Sequence, residues 1–140
     1  MPKSKEARIR HANDELLTKG NLDGVAENFS SDYVLHTGGK DYSGRAPVTK
    51  FIKQLRVAIP NARVVDVTVL CQVKDTITWQ RTIRGTHTAP MKGIPPSGKR
   101  VEWRDIVVSR FEAGLIAEEW SASELAGALM LKLPKAPASA

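Results

Sequence analysis

The feature that most constrains the fold is a change of hydrophobic period near residue 62. Beyond this point apolar side chains recur at every second residue in four long segments, and no helical pattern separates them. Period two predicts β-strands, and long consecutive strands without crossover helices predict an antiparallel sheet. The predicted strands cover residues 62–74, 76–88, 101–111 and 115–123.

The chain before residue 60 predicts helices instead, because its apolar residues recur at helical spacing. A short strand is predicted at residues 33–36. This order predicts a single α+β domain at residues 1–133, with N-terminal helices packed on a strongly curved antiparallel sheet. Such a sheet forms a cone-shaped barrel with an apolar pocket at its open end. We expect residues 134–140 to form a disordered tail. The predicted helices cover residues 9–17, 22–29 and 48–59.

Composition and charge exclude several classes of protein. No apolar run approaches the ~20 residues that cross a bilayer, so no membrane partner is expected. The net charge is +6, but the basic residues are spread along the chain, and nucleic acid is not expected either. No secretion signal is recognised, and the single cysteine, Cys71, lies among valines and is expected to be buried and inert. We therefore expect a cytoplasmic protein. No Cys or His spacing predicts a metal site.

A series of short motifs resembles one known family, the SnoaL-like polyketide cyclases, within the nuclear-transport-factor-like α+β barrel superfamily. The resemblance spans residues 6–131. The sequence differs from the family pattern at Ala89, where a glycine is usual, and in its ending at residues 131–133. The motifs are Ile59-Pro60-Asn61, Gly85-Thr86-His87-Thr88, Gly93-Ile94-Pro95-Pro96-Ser97-Gly98-Lys99 and Ile116-Ala117-Glu118-Glu119-Trp120.

This resemblance implies an activity and the residues that perform it. Enzymes of the family close polyketide rings by intramolecular aldol condensation, using a carboxylate as general acid and base without a metal or organic cofactor. The family's acid lies four residues after the strand tryptophan, which implies Glu124 here, where an aspartate is usual. An apolar pocket would raise the pKa of such a carboxyl towards neutrality. The resemblance also implies His36 in the pocket and a homodimer.

Strand alternation predicts further pocket residues. Glu124, Trp120 and Glu118 share one parity at the end of the chain, and His87 shares a strand face with Trp79 and Arg81. We expect His87 and His36 to act with Glu124 as catalytic donors. The predicted substrate-binding residues are Trp120, Trp79, Trp103, Arg81, Asp105 and Glu118.

Structural alternatives stay open for these residues. Glu124 can be an exposed helix start, His87 a hydrogen-bonded structural residue, His36 a simple loop contact, and the tryptophans core aromatics. Glu118 can form a salt bridge instead, with Arg81, Arg84 or Arg104 as its partner.

The sequence therefore predicts a cofactor-independent cyclase-like enzyme acting on a small hydrophobic carbonyl compound. One alternative is a non-catalytic protein that binds a small molecule in the same pocket. Another is an isomerase or epoxide hydrolase of the same fold, which rests on fold analogy alone.

Overall fold

The computed structural model describes residues 4–130 and has the predicted α+β architecture. Helix α1 continues directly into a π-helical turn, which the spacing of apolar residues did not predict. The predicted tail at residues 134–140 and the ending at residues 131–133 lie outside the described residues. The helices are α1 (Lys5–Ala12), the π-helical turn (Asn13–Thr18), α2 (Asp23–Asn28), α3 (Ala46–Ala58) and α4 (Leu125–Met130). The strands are β1 (Phe29–Thr37), β2 (Lys40–Ser43), β3 (Arg63–Val73), β4 (Thr76–Thr86), β5 (Arg100–Glu112) and β6 (Leu115–Ser123).

Within residues 4–130, one six-stranded sheet runs in the order β2-β1-β6-β5-β4-β3. Strands β3 to β6 are antiparallel neighbours, as the alternation predicts. The sheet is mixed, however, because β1 pairs with β6 in parallel. The long connection between these two strands includes a helix, so no hairpin fixes their relative direction. The sheet does not close into a complete barrel, since β2 and β3 remain its two edges.

The helices cover one face of this sheet, here called the inner face. Apolar side chains of the helical segments pack there against large side chains of β4, β5 and β6. Ser4 fixes the start of α1, because its hydroxyl accepts a hydrogen bond from the Ala7 N–H at 3.0 Å. The main buried side chains are Ile9, Leu16, Leu17, Val25, Ile52, Leu55, Ile59, Ile77, Trp79, Ile83, Trp103, Val107, Phe111 and Ile116.

Gly85 brings the end of β4 close to the end of α3. A Cβ at this position would lie 2.2 Å from Cγ2 of Ile59 and 3.1 Å from the Cα of Ala62. Only glycine permits this approach without displacing the helix end. The glycine of the Gly85-Thr86-His87-Thr88 motif therefore has a packing role.

A β-bulge in β6 decides which side chains of that strand face the helices. Ile116 pairs with Phe111 and Glu118 pairs with Arg110, so Ala117 has no direct partner on β5. Ile116 and Ala117 are both buried, and the alternation is reversed after them. Glu119 faces inwards as a result. The side chains of Glu118 and Trp120 lie on the opposite, outer face.

Two bulges in β3 likewise change which side chains of that strand face the helices. Val65 and Leu70 are the extra residues, so Val64, Val67 and Val69 pack on the core instead of one regular set of alternate residues. Cys71 is exposed, and its predicted burial is wrong.

None of the helices in residues 4–130 is long and apolar enough to span a membrane.

Candidate functional site

Polar side chains from the π-helical turn and four strands meet on the inner face of the sheet, among apolar core residues. We call this group the interior polar cluster. Hydrogen bonds and one cation–π contact connect all of its members. Its members are Asn13, Tyr33, Trp79, Arg81, Asp105, Ser109 and Glu119.

Glu119 is the buried carboxyl group at the centre of one half of this cluster, and it is only 8% exposed. The Tyr33 hydroxyl donates to its Oε1 at 2.7 Å, and the Ser109 hydroxyl donates to its Oε2. Ser109 in turn accepts a hydrogen bond from the Trp79 indole N–H at 2.9 Å. Burial raises the pKa of Glu119, although the bonds from Ser109 and Tyr33 and the charge of Arg81 oppose the rise. This carboxyl therefore holds its proton to higher pH than an exposed glutamate.

Tyr33 remains a proton donor at any physiological pH. Burial, and then the neighbouring charge of Glu119, raise the pKa of its phenol well above the ordinary range. Its ring also packs edge-on against Phe29, with 4.8 Å between ring centroids. The donor of Glu119 is thereby held in one position.

Arg81 organises the other half of the cluster. Its Nε donates to Asp105 Oδ2 at 2.8 Å and its Nη1 donates to Asn13 Oδ1 at 2.8 Å. The guanidinium also lies 5.4 Å from the centre of the Trp79 ring. The second oxygen of Asp105, Oδ1, is buried and has no hydrogen-bond partner among the described residues. Such an atom is the natural acceptor for a polar group of a ligand.

His87 follows β4 on the same inward-facing parity as Trp79 and Arg81, as predicted. It is fully buried, and neither ring nitrogen has a partner among the described residues. Its backbone is fixed on both sides, because its N–H donates to the Lys99 carbonyl and its carbonyl accepts from the Gly98 N–H. Two unpaired ring nitrogens make His87 a second polar group available to a ligand.

The predicted placement of His36, Glu118 and Trp120 in an interior pocket is wrong. All three lie on the outer face, and Trp120 is 41% exposed. His36 contacts Asp41 through Nδ1 and Glu118 through Nε2, each at 2.7 Å, and its ring stacks on Trp120 at 5.2 Å. The bulge at Ala117 is the reason for Glu118 and Trp120, and His36 lies beside Trp120 on the neighbouring strand β1. Glu118 does form salt bridges, but with His36 and Arg110 rather than with the arginines named from the sequence.

Glu124 also lies outside the interior, contrary to the prediction. Its side chain is 61% exposed and forms an ion pair with Arg104, with 3.5 Å between Oε1 and Nε. It immediately precedes α4, so the alternative of an exposed residue at a helix start describes it correctly. Trp79, Trp103 and Asp105 do face inwards, together with Arg81.

Sequence reasoning missed the other cluster members, above all Glu119. A signal for it existed, because two consecutive glutamates on a strand place one carboxylate on each face whatever the register. The alternation could not say which glutamate faces inwards. Tyr33, Ser109 and Asn13 carried no comparable signal.

Neither of the two clefts described for residues 4–130 is the expected enclosed apolar pocket. Trp103, Val107 and Phe111 are core side chains on the inner face of the sheet. One surface cleft, of about 290 Å³, lies between β3 and the segment formed by α1 and the π-helical turn. We call this segment the first helical segment. A second, of about 260 Å³, lies at the ends of β3, β4 and β5. The first is lined by Arg10, Asn13, Asp14, Thr18, Val64, Val65, Asp66 and Val67.

Solved structures with the same fold cover most of the chain. The candidate polyketide cyclase IdmH from Streptomyces antibioticus is 22% identical with a TM-score of 0.76, and the match covers 91% of this chain and 96% of IdmH. A candidate polyketide cyclase from Silicibacter sp. TM1040 is 17% identical with a TM-score of 0.79, covering 92% of this chain and 95% of that one. The candidate hydroxylase AclR from Streptomyces galilaeus is 23% identical with a TM-score of 0.73, covering 84% and 86%. At these identities the likeness establishes the fold alone.

A search of curated protein sequences finds no match. The family comparison is decisive, because the model of the SnoaL-like polyketide cyclases matches residues 7–130. The expected resemblance is thus confirmed, and this chain belongs to the SnoaL-like polyketide cyclase family.

Proposed function

We propose that this protein is a cofactor-independent, cyclase-type enzyme that acts on a small hydrophobic carbonyl compound, with Glu119 as its general acid and base. The observation that carries the proposal is a buried carboxyl of raised pKa, held by two hydroxyl donors on the inner face of the sheet. A base that removes a proton next to a carbonyl works best when its pKa is closer to neutrality than that of an exposed carboxylate.

The proposed reaction is an intramolecular aldol addition. The Glu119 carboxylate removes a proton from a carbon next to a carbonyl group, and the electron pair of the broken C–H bond moves onto the carbonyl oxygen. The resulting enolate carbon attacks a second carbonyl of the same molecule and forms the new C–C bond. The proton on Glu119 then passes to the new alkoxide. Glu119 returns to the carboxylate form, and the product is an isomer of the substrate.

Arg81 is the proposed donor to the enolate oxygen. Its guanidinium is permanently charged and sits in the cluster, where Asp105 and Asn13 orient it. Only Nε and Nη1 are engaged by these partners, which leaves Nη2 for a substrate oxygen. In an interior of low dielectric, a donor fixed in this way stabilises developing negative charge more than it would in water. His87 is a second possible donor, because its ring nitrogens have no partner among the described residues.

The surrounding side chains favour a hydrophobic substrate. Trp79, Trp103, Val107 and Phe111 all border the inner face and are almost completely buried. We assign no role in the chemistry to Glu124, since its carboxylate lies in solvent beside Arg104.

A second candidate function is binding without catalysis. It is favoured by the observation that both oxygens of Glu119 already accept hydrogen bonds. A ligand could then use Arg81, Asp105 and His87 while Glu119 remains a structural residue.

The test separates the two functions by following proton removal directly. Wild-type protein, Glu119→Gln and Glu118→Gln are incubated in D₂O with an apolar aryl ketone such as 2-acetylnaphthalene, and NMR measures deuterium entry next to the carbonyl. We expect Glu119→Gln to reduce the exchange rate by at least about 10²-fold, because general base catalysis contributes this much. Glu118→Gln, on the outer face of the same strand, should exchange at the wild-type rate.

Ring closure is then measured with an apolar diketone whose carbonyl groups are far enough apart to form a ring. Equal exchange by wild type and Glu119→Gln would contradict the assigned role. Binding of both ketones by the wild type without exchange or ring closure would instead support the second candidate function.

A further inference from the structure

We infer that the cleft between the first helical segment and β3 is the entrance through which an enolised β-dicarbonyl compound reaches Arg81 and Asp105, with Asn13 as the side chain that closes it. The inference rests on the proposed function for the carbonyl chemistry of the ligand. Four observations support it, and they concern the position of Asn13, the backbone around it, an unpaired oxygen and the walls of the cleft.

Asn13 belongs to both the cleft and the interior polar cluster. It lines the cleft of about 290 Å³, and its Oδ1 accepts the hydrogen bond from Arg81 Nη1 at 2.8 Å. The rest of its side chain is held by one further bond, from Nδ2 to the Ile9 carbonyl at 2.8 Å. Rotation of this single side chain would bring the Arg81 guanidinium into contact with the cleft.

The backbone at Asn13 is unusual, because this residue begins the π-helical turn. The bond from the Lys19 N–H to the Asp14 carbonyl, at 2.9 Å, has the wide spacing of that helix type. π-Helical turns occur frequently at functional sites. The C-terminal end of the turn is anchored, since Thr18 Oγ1 accepts from the Val64 N–H and Arg56 donates to the carbonyls of Leu17 and Thr18. The backbone N–H of Asn13 is bonded as well, to carbonyls of α1, so opening of the cleft should occur by rotation of the Asn13 side chain.

The unpaired Oδ1 of Asp105 is independent evidence for a ligand beside Arg81. Asp105 is 5% exposed, so this oxygen cannot be satisfied by bulk solvent. This oxygen of Asp105 requires a hydrogen-bond donor on the ligand, whereas the Arg81 guanidinium requires an acceptor on the ligand. An enolised β-dicarbonyl carries both groups side by side, because its enol O–H donates and its carbonyl oxygen accepts. This pairing is the basis on which we assign the class of ligand.

The walls of the cleft fit a molecule with one apolar and one polar side. Val64, Val65 and Val67 of β3 supply apolar surface, and Arg10, Asp14, Thr18 and Asp66 supply polar groups. An apolar tail can lie along the valines while the dicarbonyl head points towards Asn13.

Two exposed valines of β3 provide a matched pair of variants. Val65 is 40% exposed in the cleft, and Val73 is 59% exposed at the far end of the strand. Neither belongs to the interior polar cluster. Tryptophan at Val65 should fill the cleft, whereas tryptophan at Val73 should not. Because Val65 already faces solvent, the larger side chain has no core contact to disrupt.

The experiment measures the kinetics of binding of benzoylacetone, an apolar aryl β-diketone, by stopped-flow absorbance of its enol. We expect Val65→Trp to slow both association and dissociation at least about tenfold, since a blocked entrance changes both rates more than the affinity. Val73→Trp should bind at the wild-type rates. Asn13→Ala, which removes the closing side chain, should associate faster than wild type.

Unchanged rates in Val65→Trp would overturn the inference, as would failure of the wild type to bind benzoylacetone. If Val65→Trp does not fold, the Asn13→Ala rate decides: faster association supports the entrance, and unchanged or slower association overturns it. The outcome is separable from that of the proposed function. Slow binding in Val65→Trp together with deuterium exchange that does not depend on Glu119 would support the entrance and contradict the cyclase chemistry. Unchanged binding rates in Val65→Trp together with Glu119-dependent exchange would contradict the entrance and support the cyclase chemistry.

Discussion

Glu118 and Glu119 are neighbours in sequence, yet their carboxylates lie on opposite faces of the sheet. Glu118 contacts His36 and Arg110 on the outer face, whereas Glu119 accepts hydrogen bonds from Tyr33 and Ser109 inside. The environments shift their pKa values in opposite directions, upwards for Glu119 through burial and downwards for Glu118 through its hydrogen bond with His36. The two residues therefore form a matched pair for experiments.

Replacing Glu119 with Gln should change how the free energy of unfolding depends on pH. Burial raises the folded-state pKa of Glu119 above the ordinary value of 4.5, so the folded protein binds this proton more tightly than the unfolded chain does. The resulting stabilisation is complete below that value and is lost as the pH rises through the folded-state pKa. Wild type should thus lose stability relative to Glu119→Gln over this interval. Urea unfolding from about pH 4 to about pH 9 measures the difference.

Glu118→Gln should show the opposite sign. The folded-state pKa of Glu118 is lowered, so its stabilising effect is present above 4.5 and disappears as the pH falls through the folded-state pKa. Wild type should exceed this variant in stability near neutral pH, with the difference shrinking in acid. If the free energies of unfolding of both variants showed the same pH dependence as that of wild type, the two assigned environments would be incorrect.

His36 should be an imidazolium at neutral pH. Both of its ring nitrogens lie 2.7 Å from carboxylate oxygens, one of Asp41 and one of Glu118, and only the doubly protonated ring can donate to both. These bonds raise its pKa above the ordinary value of 6.5. The stabilisation is therefore complete below 6.5 and is lost as the pH rises through the folded-state pKa.

An NMR titration of the His36 ring protons checks this assignment. Its midpoint should lie above 6.5 and should move down in Asp41→Asn and in Glu118→Gln. A midpoint at or below 6.5 in the wild type would contradict it.

Gly85→Ala should destabilise the fold by about 1–3 kcal/mol, since the new methyl group would overlap Ile59 and overpack the contact between β4 and α3. Gly127→Ala is the control, because a Cβ at that position in α4 meets no atom within 4 Å and alanine favours a helix. Thermal or urea unfolding compares the two. Equal stability of Gly85→Ala and wild type would show that α3 is free to move away from the sheet.

The homodimer implied by the family resemblance stays a prediction, and the outer face of the sheet is where we expect it. Trp120 and Ile106 are 41% and 46% exposed there, on neighbouring strands. Exposed apolar groups that cluster on one face mark interaction surfaces. Ile106→Glu should shift light-scattering masses from dimer to monomer, and Val57→Glu on α3, which is 67% exposed, should not. A monomeric wild type at all concentrations would contradict the prediction.

How much the sequence predicts depends on the regularity of each strand. Strand β4 pairs with β5 without a register shift, and the inward positions of Trp79, Arg81 and His87 follow correctly from alternation. Strands β3 and β6 contain bulges, and the predictions for Cys71 and Trp120 are wrong for that reason. A bulge needs no glycine or proline to mark it, so periodicity alone could not locate Ala117.

The cluster itself depends on contacts between distant segments. Tyr33 and Glu119 meet because β1 lies beside β6, and Asn13 and Arg81 meet because the π-helical turn packs on β3, the neighbour of β4. Neither pairing has a local sequence signal. The order of helices and strands was sufficient for the fold class, but not for the site.

The extra residue at Ala117 also affects how this strand can evolve and be compared. Deleting one codon there would restore regular pairing and leave Glu119 opposite Ser109, so the interior would keep its carboxylate. If the strand instead paired regularly through Ala117 without a deletion, Glu118 would lie opposite Ser109 and face inwards, so the doublet supplies an interior carboxylate in either register. An alignment with a relative that lacks the bulge requires a one-residue gap at this position, and an ungapped alignment would match the wrong glutamate.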